Sequence, residues 1–301
     1  MIYRQLTREE FNDLASRILY EDNHLLVVNK KVGEIVQGDK TSDEPLTETY
    51  KSFIAQRDAK PGQVFMGLPH RLDRPVSGIV VLAKTSKALE RLNAMFRDSS
   101  VKKIYWALVC AEPNPVEGRL EDMMWRNEKQ NKSYICRPGS ARRDAKLARL
   151  NYRQIGRTDR YWLVEVELLT GRHHQIRCQL ANLGCPIKGD LKYGSPRSNP
   201  DGGISLHARS ITFIHPVKKE EMTIEAPVPS SWKGCDPPSV ILSAAKDLKN
   251  YHDHEETIAI MYHPRSCIMQ PQDILDRPDC RCPAGLRCCH QGTGTGSSIC
   301  E

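Results

Sequence analysis

The chain has 301 residues, 39% of them hydrophobic and 27% charged, with a formal net charge of +7 at neutral pH. That balance suits a globular protein that buries a core without disulfides, and it excludes a disordered or collagen-like chain. No run approaches the ~18 apolar residues of a membrane span, and the opening MIYRQLTREEFNDL lacks the apolar centre of a signal peptide, so a soluble cytoplasmic protein is expected. The charge is unevenly spread. Residues 236–301 hold 6 Lys and Arg against 9 Asp and Glu, which leaves residues 1–235 with 38 against 28. A basic body of this kind suits a polyanionic partner such as RNA or DNA, or is simply that of a basic enzyme.

Residues 1–20 contain an amphipathic, helical stretch, and LLVVN (25–29) reads as a buried strand. Gly33 and Gly38 punctuate a loop, 46–56 reads as a helix, and Pro61-Gly62 as a turn. IVVLA (79–83) is a short buried strand, followed by a helix to Phe96 that Ser86 caps. IYWALVC (104–110) is another strand. The segment 112–143 is rich in Pro, Gly and charge and reads as loops around short strands. Residues 147–154 and 161–168 alternate as a pair of strands, and 175–183 reads as a helix closed by Gly184. A long loop spans 189–203, and strands near 211–214 and 222–225 finish the body. Strands and helices mix without regular alternation, which predicts an α+β fold rather than a parallel α/β one.

Two constellations carry chemistry. In HRLDRPVSG (70–78), Asp73 stands between Arg71 and Arg74 in a loop before a buried strand. A carboxylate attacks only as the anion, and a neighbouring cation favours that form and fixes its orientation. Taken alone, an Arg–Asp pair in a turn is ordinarily structural. In TGRHHQIRCQLANLGCPIKGDLKYG (170–194), Arg172, His173, His174 and Arg177 stand at the first turns of a helix. Basic side chains with exposed helix N–H groups there make a phosphate-binding surface. The adjacent histidines point to different sides of a helix and lack a third ligand at useful spacing, so no metal site is expected.

Together and in this order, these segments resemble the RluA-type branch of the RNA pseudouridine synthases. The signature around the family's catalytic aspartate is matched by His70, Arg71, Leu72, Asp73, Ser77 and Gly78. Its downstream signature is matched by Gly171, Arg172, His174, Gln175, Ile176, Arg177, Gly184, Pro186, Gly189, Asp190, Tyr193 and Gly194. Lys103 and Tyr105 match its lysine-x-tyrosine strand, and Leu206, His207, Ala208, His215 and Pro216 its closing strands. Three spaced motifs over residues 18–230 are far more specific than any one of them.

The resemblance implies a mixed, mostly antiparallel sheet with flanking helices and loops, and isomerisation of specific uridines to pseudouridine in structured RNA, ribosomal or transfer. It implies that Asp73 attacks at C1′ of the sugar or C6 of the base, that Arg177 pairs with it, and that Tyr105 stacks on the flipped base. Arg71 corresponds to the arginine that fills the gap the base leaves. His70, Lys103, Arg172 and His174 are the further candidates for RNA contact. The reaction implies no cofactor, and a monomer without an obligatory protein partner is expected. Departures are Val76 where the family has threonine, Lys31 where it has proline, and Gln179 where it often has histidine. Asp190, in a Gly-rich loop, reads as structural. The alternative readings are a non-catalytic RNA-binding or RNA-folding factor and a hydrolase of nucleosides or sugars. The second lacks a second carboxylate in a persuasive site.

The expected organisation is an N-terminal extension (1–17), a catalytic domain (18–232) and a Cys-rich C-terminal tail (233–301) with little order. Six of the 11 cysteines crowd into the last 35 residues, at spacings that do not fit paired zinc knuckles.

Overall fold

In the computed structural model, which describes residues 3–38, 42–59, 62–137, 139 and 142–232, the apolar runs become the inner strands of a ten-stranded sheet. The strands are β1 (Ile18–Glu21), β2 (Leu25–Lys30), β3 (Ser77–Ala83), β4 (Lys102–Val109), β5 (Glu117–Asn127), β6 (Lys132–Ile135), β7 (Lys146–Arg157), β8 (Trp162–Leu168), β9 (Leu206–Ile214) and β10 (Glu221–Glu225). The helices are α1 (Arg8–Ser16), α2 (Leu46–Arg57), α3 (Ser86–Arg97) and α4 (Gln175–Asn182). The sheet runs β1-β2-β3-β9-β4-β8-β7-β5-β6, with β10 beside β9. Among the described residues β3 with β9 is the parallel pair and the other pairs are antiparallel, as the α+β expectation requires.

β9 is the branch point. One flank pairs with β4, while the other pairs first with β3 (Ser77 with His207, Gly78 with Ala208) and then with β10 from Ser210 onward. Once β9 has diverged from β3, the free edge of β3 is satisfied by the segment before Asp73. Gly67 and Ala83 exchange two backbone hydrogen bonds of 2.8 Å, and the Val81 N–H donates to His70 Nε2 at 2.9 Å. Buried backbone groups need such partners, and these anchor the 67–76 loop to the sheet.

The core packs Leu25–Val28 and Ile79–Leu82 against Tyr50, Phe53, Ile54 and Leu92. Residues 3–17, set apart in the sequence as an extension, contribute to it. Leu6 and Leu14 are buried in the same core, and the Tyr50 hydroxyl donates to the Leu14 carbonyl at 3.2 Å. A capping box starts α1, with Thr7 and Glu10 each accepting the other's backbone N–H.

The helical stretch expected within residues 1–20 is α1, after which the chain turns into β1 at Ile18. Two expectations change. Thr85, not Ser86, caps α3, its hydroxyl accepting the Ala88 N–H at 3.2 Å. The segment read as loops around short strands contains a long hairpin, β5–β6, of which β5 alone has 11 residues. Its side chains alternate between exposed and partly buried, the pattern of a marginal strand with one wet face, and Pro113, Pro115 and Gly118 at its mouth disguise it. The Cys-rich tail expected over 233–301 lies outside the described residues. No helix among the described residues is long and apolar enough to cross a membrane.

Gly78 makes the β3–β9 contact possible. Its φ is +114°, and a Cβ there would sit 2.4 Å from the Ala208 carbonyl oxygen and 2.5 Å from its nitrogen. Gly78→Ala therefore combines a strained backbone with a clash against a strand, and should cost at least about 3 kcal/mol. Urea unfolding of the two proteins measures this, and a loss below about 1 kcal/mol would contradict it.

Candidate active site

Asp73 begins the turn that leads into β3, and its carbonyl accepts the Val76 N–H at 3.0 Å. The turn is held from behind by Lys30 at the end of β2. That side chain is buried, and its ammonium donates to the carbonyls of Lys31 (2.9 Å), Arg74 (3.2 Å) and Val76 (2.7 Å). Burial pushes the Lys30 pKa down to about 8, against the pull of Glu34 and Asp73. Arg74 O also accepts the Gly33 N–H, and Pro75 O the Ile204 N–H, each at 3.0 Å. Val76, the departure from the family's threonine, is buried in the main core, where a methyl serves in place of a hydroxyl.

Opposite Asp73 stands Arg177, in the first turn of α4. Its Nε and Nη2 donate to the two carboxylate oxygens of Asp190 at 2.6 and 2.9 Å, and its Nη1 reaches Asp73 Oδ2 at 3.3 Å. The side chains of Arg177 and Asp190 are 6% and 1% exposed, that of Asp73 33%, so the pair is internal and the nucleophile candidate faces out. Burial opposes the Arg177 charge, but the Asp190 and Asp73 carboxylates outweigh it and raise its pKa. Tyr193 lies 5.1 Å beneath the guanidinium.

The loop into α4 is stitched by Gln175. Its Oε1 accepts from the Arg172 N–H and the Thr170 hydroxyl, and its Nε2 donates to the Arg149 carbonyl. This alters two readings. Gln175, Ile176 and Arg177 are buried, so the helix start does not expose N–H groups for a phosphate. His173 and His174 do not point apart, because His174 precedes the helix at φ 52° and the two rings stack 3.8 Å apart. His174 is buried, with Nδ1 3.0 Å from the Tyr193 hydroxyl and Nε2 3.4 Å from Asp73 Oδ2. Burial and the Arg177 charge push its pKa down to about 2.

The remaining candidates surround this centre. Tyr105 projects from β4 just past a bulge, and burial together with the Asp73 charge raises its phenol pKa, so it stays protonated. Lys103, two residues earlier, is half-buried with its pKa lowered by burial. His70 stacks on Phe96 at 4.6 Å, and burial and then Lys103 push it down to about 3. Arg71 and Arg172 are exposed, bound to Gln37 Oε1 at 3.3 Å and the Leu147 carbonyl at 2.9 Å. A cationic rim continues onto the β5–β6 turn. There Arg126 Nη2 donates to Asn131 Oδ1 at 3.0 Å, and Lys192 Nζ to Asn131 O at 3.1 Å. Lys30, and the part that Asp190 and Tyr193 play around Arg177, emerge only in the structure. Asp190 and Tyr193 carry a motif signal in the sequence, but nothing there shows that they meet Arg177. Among the described residues no group of three or more His, Cys, Asp and Glu could hold a metal ion.

Four histidines, His70, His173, His174 and His207, are pushed down to about 3, 4, 2 and 4, first by burial. In the unfolded chain histidine titrates near ~6.5. Between that value and the folded ones the unfolded chain holds more protons, so stability falls as pH drops from about 7 towards 4. Unfolding at about pH 5 should take up close to ~4 protons through these rings. Calorimetry in buffers of different ionisation enthalpy counts them, and an uptake near zero would contradict the assignment.

A family model described as RNA pseudouridylate synthase matches residues 24–182. The chain is 33% identical over 224 residues to the ribosomal large subunit pseudouridine synthase C of Vibrio parahaemolyticus, covering 72% of this chain and 67% of that one. It is 30% identical over 219 residues to an uncharacterized RNA pseudouridine synthase of Synechocystis, covering 72% and 66%. The chain thus spans about two thirds of the length of these relatives. Among solved structures it resembles human RNA pseudouridylate synthase domain containing 4, with a TM-score of 0.63 at 26% identity, covering 74% of this chain and 92% of that one.

Proposed function

The chain belongs to the RNA pseudouridylate synthase family, whose members isomerise uridine in RNA, and on that premise we propose that it converts specific uridines of large-subunit ribosomal RNA to pseudouridine with Asp73 as nucleophile. The observation that carries this reading is the approach of Arg177 Nη1 to Asp73 Oδ2 at 3.3 Å, with Arg177 itself fixed on Asp190. The substrate class follows that of the Vibrio relative, a ribosomal large subunit pseudouridine synthase.

A stacked uridine does not expose the atoms that react, so the base must leave the helix, which costs least in a loop or bulge. Tyr105, with its protonated phenol beside Asp73, suits stacking on the flipped base and handling a proton. Exposed Arg71 suits the gap the base leaves. Arg172 and Lys103 suit contacts to phosphate. His70 uses its Nε2 on β3 and its ring on Phe96, so it serves RNA binding by fixing the loop that bears Arg71 and Asp73. Asp73 bonds to C1′ or C6, the C1′–N1 bond breaks, the base turns, C5 bonds to C1′, and the bond to Asp73 breaks to return the free carboxylate. The hydrogen at C5 is released and N1 gains a proton, so the product is an isomer. The residues act in the cytoplasm, as a monomer and without a protein partner.

Because C5 loses its hydrogen, large-subunit ribosomal RNA carrying tritium at uridine C5 should release it to water when incubated with the purified chain. Asp73→Asn should reduce that release at least about 10³-fold, as expected for removal of a nucleophile. Release by Asp73→Asn within about ten-fold of wild type would overturn the nucleophile. Wild-type binding of the RNA without release would overturn the activity.

A further inference from the structure

His174 adopts φ 52° and ψ 25°, a left-handed conformation that a non-glycine residue holds only when its surroundings over-determine it. Its ring is fixed on several sides. His173 stacks on it at 3.8 Å, and the Tyr193 ring meets it edge-on at 5.6 Å. Tyr193 Oη lies 3.0 Å from Nδ1, and Asp73 Oδ2 lies 3.4 Å from Nε2.

These contacts dictate where the protons sit. An ionised carboxylate is acceptor-only, so the nitrogen facing Asp73 must carry the hydrogen. A neutral ring has one such hydrogen, so Nδ1 must accept, and the Tyr193 hydroxyl donates to it. The Tyr193 oxygen in turn accepts the Ser133 N–H at 2.8 Å, from the edge strand β6. This arrangement suits both contacts, of which the Nε2–Asp73 one is an electrostatic approach at 3.4 Å rather than an aligned hydrogen bond, and the Arg177, Lys192 and Arg126 charges around the ring oppose a second proton. His174 Nε2 and Arg177 Nη1 approach the same oxygen, Oδ2, and among the described residues Oδ1 has no partner.

We propose that His174 is a positioning residue: as the neutral Nε2–H tautomer, fixed by Tyr193 and Ser133, it shares with Arg177 the task of pinning Asp73 Oδ2 and so leaves Oδ1 as the attacking oxygen. This rests on the reading of Asp73 as nucleophile. A neutral donor orients the carboxylate without neutralising it, as an imidazolium would.

The test compares single-turnover kinetics of Asp73→Asn, His174→Asn, His174→Gln and Tyr193→Phe on the tritiated RNA, together with ring-nitrogen NMR of His174. The amide nitrogen of Asn reproduces the Nδ1 position and tolerates left-handed φ, but does not reach Asp73. That of Gln reproduces Nε2. His174→Asn should lower kcat about 10–100-fold with KM within about two-fold, and His174→Gln should recover to within about five-fold of wild type. Tyr193→Phe, which keeps the ring, should lower kcat about 3–10-fold. NMR should show the neutral Nε2–H tautomer from about pH 8 to pH 5. Activity in Asp73→Asn would remove the nucleophile reading itself. With Asp73→Asn inactive, four results overturn the inference: wild-type kcat in His174→Asn, equal losses in the Asn and Gln variants that track their melting temperatures, a rise in KM with an altered salt dependence that marks His174 as an RNA contact, or an Nδ1–H tautomer. If the His174 variants do not fold, the NMR tautomer and the Tyr193→Phe kcat decide.

Discussion

Arg177 carries its charge where burial opposes it, and the local structure is arranged to answer that cost. Removing an ion from water costs several kcal/mol unless its hydrogen bonds are replaced. Asp190 replaces two of them with bidentate geometry, and both partners are almost wholly buried. A guanidinium is a rigid planar fork, so fixing Nε and Nη2 on Asp190 also fixes the direction of Nη1. That direction is where Asp73 lies. The internal ion pair is therefore a jig for a third, more exposed group, and the Gly189–Gly194 segment that supplies Asp190 and Tyr193 belongs to the site as much as α4 does.

The sheet brings the two halves of this jig together from distant parts of the sequence. Asp73 precedes β3, Arg177 follows β8, and 104 positions separate them. β9 bridges the gap, pairing with β3 on one flank and β4 on the other, and Gly78 lets β3 approach it closely. The Asp73 turn rests on this junction and on Lys30, whose three donors each find a carbonyl. Conformational freedom of the turn is removed in advance, which is what the proposed nucleophile, having to meet one atom of a flipped base, would require.

The legibility of these features in the sequence differs by kind. Buried strands such as 25–29 and 79–83 stand out because both faces are apolar, and α4 because its apolar spacing ends at a glycine suited to positive φ. The β5–β6 hairpin does not, because a strand with one wet face at the sheet margin alternates charges that resemble a loop. In the site, the motif residues single out Asp73 and Arg177 as candidates, but the Arg177–Asp190 pairing is a fact of tertiary geometry. The same holds for His174. Two adjacent histidines before a helix look like exposed cations, and only the left-handed turn and the Tyr193 hydroxyl show that one of them is buried and held in place.

Arg177 serves Asp190 and Asp73 at once, and Arg177→Lys tests this directly, because a lysine keeps the charge and loses the fork. The measurement is pseudouridine mapping of total RNA from cells that lack this gene, complemented with wild type or with Arg177→Lys at equal protein levels. The account predicts that wild type restores the missing modification and that Arg177→Lys leaves the site as uridine. Full restoration by Arg177→Lys would contradict it.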